Sequence, residues 1–122
     1  MVETKKERLD GILEELGQIG EIVGTAIISR DGLPIASNVG KKDAETFAAM
    51  SAAMQGAAET AAAELDQGEV EQVIIETAKG KVISVGAGKK AILVILADKK
   101  ANLGLVLLEM HRSVKKISDV LK

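Results

Sequence analysis

KDAETFAAMSAAMQGAAETAAAELD, running from Lys42 to Asp66, is an almost unbroken stretch of helix-forming residues. Placed at about 100° per residue, it carries one face of larger residues, Phe47, Ser51, Met54, Ala58 and Leu65, and a separate face of small ones, Ala49, Ala53, Gly56, Thr60 and Ala63. Only a narrow polar strip remains, made of Glu45, Gln55, Glu59 and Asp66. A helix apolar over most of its circumference is expected to be covered on two sides. A small domain with one sheet can cover one side; the other side needs a neighbour. Small residues recurring at three and four let a second helix backbone approach closely, and an identical helix there gives a two-fold dimer. The competing reading is an exposed alanine-rich helix, but exposed helices usually carry more charge than this face does.

Elements of both kinds are legible on either side of this segment. From Lys6 to Leu16, apolar Leu9, Ile12, Leu13 and Leu16 fall at helical spacing, and Gly17 and Gly20 are candidates to end that helix. Ile22 to Ser29 is rich in β-branched residues and reads as a strand; Arg30-Asp31-Gly32 supplies a turn into a short second strand, Leu33 to Ser37. Pro34 cannot donate to a ladder, which puts this second strand at an edge. After the long helix come Val70 to Thr77, Lys81 to Gly86 and Ala91 to Ala97, joined by short connections that predict an antiparallel meander. Ile92 to Leu96 is apolar throughout, as expected of a central strand covered on both faces. A last helix spans Leu103 to Leu121, with Asn102 as N-cap and Leu103, Val106, Leu107, Met110, Val114, Ile117 and Leu121 as its stripe; Leu105 and Leu108 lie off that stripe. The order is αββαβββα, an α+β class of fold.

Composition narrows the function classes. The chain has 122 residues, 47% hydrophobic and 28% charged, as expected of one folded domain rather than a disordered tail. Eighteen acidic and 16 basic residues give a net charge of −2, with the charges read as spread along the chain, so bulk charge gives no reason to expect nucleic acid as a partner. Phe47 is the only aromatic residue, which rules out a base-stacking platform. There is no cysteine, hence no disulfide and no thiolate chemistry, and a cytoplasmic location is the simplest expectation. No signal peptide, transmembrane helix or lipidation motif is read, so direct membrane insertion is not expected.

The candidates for chemistry are weak. Gly86-Ala87-Gly88-Lys89-Lys90 resembles the end of a phosphate-binding loop, yet Ile83 stands where the motif wants its first glycine and Lys90 where it wants a hydroxyl. Its place between two strands favours a hairpin turn. His111 is the only histidine, and Glu109 and Ser113, at i−2 and i+2, point away from it on a helix, so it reads as a surface residue. One histidine and no cysteine leave no clustered metal ligands. Arg112, Lys115, Lys116 and Lys122 read as cations complementing the dipole of the last helix. No enzyme is expected, and neither a cofactor nor a metal.

The element order, together with Asp31-Gly32-Leu33-Pro34-Ile35-Ala36-Ser37 at the first hairpin, resembles the Roadblock family, which includes dynein light chains and the MglB-like regulators of Ras-like GTPases. Ala48-Ala49-Met50-Ser51-Ala52-Ala53 with Gly56-Ala57-Ala58-Glu59 is similar to the family's second helix. Gln72-Val73-Ile74-Ile75-Glu76 is similar to its third strand, and Asn102-Leu103-Gly104-Leu105 to the start of its last helix. The resemblance runs from about Glu7 to Leu121 and implies one Roadblock-type domain over 1–122, profilin-like, with a five-stranded antiparallel sheet and helices on both faces. It further implies a homodimer in which second helices pack antiparallel and third strands join the two sheets. Ala57, Val73 and Ile75 would then stand in the interface beside the small-residue face. The implied partner is a small Ras-like GTPase, docked on the second-helix surface through Glu45, Gln55 and Glu59, with Leu105 and Leu108 as a second candidate patch. Two alternatives stand beside this reading: an assembly or adaptor subunit of a motor or scaffold complex, and, less well supported by the residues, a small-molecule sensor.

Overall fold

A computed structural model describes residues 2–39 and 41–122. The chain forms α1 (Lys5–Gly17), β1 (Ile22–Ser29), β2 (Pro34–Ser37), α2 (Lys41–Glu64), β3 (Val73–Glu76), β4 (Gly80–Ala87), β5 (Ala91–Asp98) and α3 (Leu103–Val120). This is the αββαβββα order expected. The strands make one antiparallel five-stranded sheet in the order β2-β1-β5-β4-β3. β5 lies at its centre, where the uninterrupted apolar run from Ile92 demands cover on both faces. β2, with Pro34, is one edge, and β3 is the other.

Side chains alternate across the sheet, and the two faces are covered by different helices. On one face Ile27, Ile83, Val85, Leu93 and Ile95 pack with Leu9, Leu13 and Leu16 of α1 and Val106, Met110 and Ile117 of α3. On the other, Ala26, Ile28, Ile92 and Val94 meet Ala48 of α2, with Phe47, Ala52 and Val82 at the margin.

Local signals account for most element ends. Thr4 caps α1, accepting from the Glu7 backbone amide at 3.1 Å while the Glu7 carboxylate accepts from the Thr4 amide at 3.1 Å. Asn102 caps α3 through the Leu105 amide at 3.1 Å, as its position predicts. In the first hairpin Gly32 takes φ +87°, and a Cβ there would lie 3.3 Å from the Cα of Ala49, so the turn both needs a left-handed residue and abuts α2.

Several expectations need correction. α1 does not end on a left-handed Gly17 or Gly20; Gln18 closes it in the right-handed region, and the left-handed residue is Glu21, at φ 70°. β2 begins at Pro34 and β3 shrinks to Val73–Glu76, because residues before Val73 have no partner in β4. Leu65 lies past the end of α2 and is exposed, so it does not belong to the inward face. The last turn of α3 contains Asp119 and no cation; Arg112, Lys115 and Lys116 stand more than a turn from the end, where the dipole effect has decayed. His111 is half-buried rather than on the open surface, its Nε2 3.1 Å from Oε1 of Gln72.

Candidate protein-interaction site

The outward side of α2 follows from the identity of its residues. Ala48, Ser51 and Gln55 are buried against the sheet. At 100° per residue this turns the arc from Glu45 through Ala49, Ala53, Gly56, Ala57, Thr60 and Ala63 away from it, and every one of these residues is exposed in the protomer. Met50, 63% exposed, flanks the arc. A Cβ on Gly56 would meet nothing within 4 Å, so the glycine answers no packing need inside the protomer.

β3 extends the same surface. Its residues pair with β4 as Val73 with Ser84 and Ile75 with Val82, and directly opposed residues share a face, so Val73 and Ile75 stand on the α2 side of the sheet. Val73 is half-buried and Ile75 is 41% exposed. Among the described residues the far edge of β3 has no strand beside it. Its unpaired amides and carbonyls are therefore open to a further strand. Small residues of α2, two β-branched side chains and an open strand edge thus lie on one side of the molecule.

The polar strip assigned to α2 is different in kind from what the helical wheel suggests. Gln55 is fully buried: its Oε1 accepts from the Ser84 hydroxyl at 2.5 Å, and its Nε2 lies 3.4 Å from a Glu59 carboxylate oxygen. It offers no docking group on the surface, and that expectation is corrected. Glu59 is partly exposed and engaged by Arg30, whose Nη1 donates to its two oxygens at 2.9 and 2.8 Å; Nη2 donates to the Gly88 carbonyl at 2.9 Å. Among the three, Glu45 alone is exposed with no hydrogen bond among the described residues. On the opposite side, Leu105 and Leu108 of α3 are 43% and 50% exposed. Leu108 borders a groove shared with Leu16 and Ile19 near the end of α1 and with Val114 and Lys115 of α3.

Charge is less evenly distributed than its spread-out reading implies. From Asp43 to Ala78 stand Asp43, Glu45, Glu59, Glu64, Asp66, Glu69, Glu71 and Glu76, and no lysine or arginine. This α2–β3 segment of the chain is therefore acidic, with Glu59 neutralised by Arg30. Gly88, Lys89 and Lys90 form the hairpin turn between β4 and β5, as the place of the glycine-lysine string between two strands predicts. Among the described residues no three His, Cys, Asp or Glu side chains cluster to hold a metal, and no helix is long and apolar enough to cross a membrane.

Comparison with known proteins agrees with this architecture. The family model described as the Roadblock/LC7 domain matches residues 9–97. The uncharacterized protein MJ1340 of Methanocaldococcus jannaschii is 46% identical over 110 residues, covering 89% of this chain and 96% of that protein. Among solved structures, a Roadblock/LC7 domain from Streptomyces avermitilis superposes with a TM-score of 0.87 at 23% identity, covering 92% of this chain and 96% of that one. A structure titled MglB with tetrameric arrangement gives 0.87 at 22%, covering 98% and 92%. On the match of sequence and of fold together, the chain belongs to the Roadblock/LC7 family.

Proposed function

We propose that this chain is a homodimeric, non-enzymatic protein-binding module that regulates or scaffolds a small Ras-like GTPase in the cytoplasm. The observation that carries the reading is the uncovered small-residue face of α2 beside the open edge of β3. Two copies related by a two-fold axis would bury Ala49, Ala53, Gly56, Ala57, Thr60 and Ala63 against their equivalents and bring Val73 and Ile75 to the seam. Apolar area removed from water would drive that association. Self-association is in keeping with the tetrameric arrangement named for the MglB structure that this fold resembles.

The GTPase half of the reading comes from the family. It fits a surface with open apolar and acidic groups. In that role the GTPase's own residues carry out hydrolysis, and the dimer orders or recruits them. Glu45 on the α2 side and Leu105 with Leu108 on α3 remain the candidate contacts; the Arg30 pairing makes Glu59 a lesser one. Small Ras-like GTPases from the same genome, loaded with GDP or a GTP analogue, test this by calorimetric binding and by phosphate release. Binding to one nucleotide state with altered turnover is the expected result. No binding in either state contradicts the GTPase role, and a pulldown yielding scaffold or motor proteins without any GTPase favours the adaptor reading.

A further inference from the structure

α2 is attached to the sheet by two kinds of contact along its length. Its first half lays Phe47, Ala48 and Ala52 on Ala26, Ile28, Ile92 and Val94. Beyond Ala52 that apolar cluster ends, and the next inward groups are Gln55 and then Glu59. Their partners come from distant parts of the chain: Ser84 in β4 and Arg30 just after β1, each 29 residues away in sequence. The guanidinium reaches on to the Gly88 carbonyl in the β4–β5 turn, so one cation joins two hairpin ends to the helix. A Cβ on Gly86 would fall 2.8 Å from Arg30 Nη2 and 4.0 Å from Gln55 Nε2. The bare glycine is what lets the guanidinium lie over this part of the strand.

Contacts between alanines and a sheet are non-directional, so they hold a helix down without fixing its rotation. Hydrogen bonds are directional, and those with an ionised partner are the stronger ones. We infer that the chain Ser84–Gln55–Glu59–Arg30 sets the rotation of the second half of α2, and so is what turns Gly56, Ala57, Thr60 and Ala63 outward. These four polar side chains are positioning residues: they act on the association surface through the helix they orient. The geometric part stands on the protomer alone; the consequence for association rests on the dimer reading proposed above.

Amide hydrogen exchange along α2 and sedimentation equilibrium on the same samples separate the two. In the double variant Gln55→Leu/Arg30→Met, exchange of residues 55–64 should rise at least tenfold, that of residues 44–52 less than threefold, and the dimer dissociation constant at least tenfold. Glu59→Gln keeps the side-chain shape and one acceptor oxygen; it should show the same contrast at smaller size and serves if the double variant does not fold. Exchange that rises uniformly along the helix, or in neither variant, overturns the inference whatever the oligomeric state. So does a local rise in exchange with an unchanged dissociation constant. A wild-type chain that is monomeric throughout refutes the dimer reading, and the exchange contrast alone then decides the role of the polar chain.

Discussion

Between α1 and α3 on one face of the sheet and α2 on the other, the protein uses two different ways of covering β-structure. The first face interlocks leucine, isoleucine, valine and methionine side chains from three directions. The second is covered by a helix that lays Phe47, Ala48 and Ala52 on it, fastened past its midpoint by Gln55 and Glu59 and left bare on its outer side. Large interdigitating side chains fix a core and give stability. A helix of small residues gives less per residue but leaves a flat outer surface that another backbone can approach. The difference separates the part of the molecule that keeps the protomer folded from the part suited to meeting other chains.

The widest separation of the two roles should come from Ala53→Glu. Residue 53 is exposed in the protomer, so thermal stability of the isolated chain should move by no more than about 0.5 kcal/mol. A carboxylate in a tight apolar seam, by contrast, should abolish the dimer or leave insoluble protein; light scattering that finds an unchanged dimer would mean that the seam lies elsewhere. Next in size are two neighbours on β5 that point to opposite faces, both essentially buried. Leu93→Ala should cost about 3–4 kcal/mol in urea unfolding and Ile92→Ala about 2, because an alanine-rich helix can settle into the space left on its side more easily than the interlocked face can. Equal costs would show that the two faces are equally rigid.

Gly56→Ala is subtler. Alanine should stabilise α2 by up to about 1 kcal/mol, since a Cβ meets nothing in the protomer, yet raise the dimer dissociation constant several-fold by holding two helices apart. A rise in melting temperature with an equally tight dimer would place the closest helix approach away from Gly56. Smallest is the effect of salt. Two acidic α2–β3 segments brought together repel, so added sodium chloride should tighten the dimer a few-fold by screening; weakening by salt would indicate that ion pairs hold the seam.

Where the sequence was readable, it was because one residue dictates its own neighbourhood. Asn102 announces a helix start, Pro34 an edge strand, and the run from Ile92 a central one. Thr4 and Glu7 spell a capping box that periodicity alone passes over. Gln55 and Glu59 illustrate the opposite case. On a helical wheel a polar residue is taken to face water, but these two face Ser84 and Arg30, and nothing within a helix's own length says so. Gly86 reads as the last residue of a strand and lies in β4, but nothing in its neighbours says that it is kept bare for the Arg30 guanidinium. The outward face of α2 was legible from its spacing, whereas the device that fixes its direction was not, because its partners are distant in the chain.

Multi-angle light scattering of the unmodified chain at micromolar concentration asks most simply whether the bare side of α2 finds a twin. A particle with the mass of two 122-residue chains, or an even multiple of it, is the expected result. A single-chain mass at every concentration would contradict it.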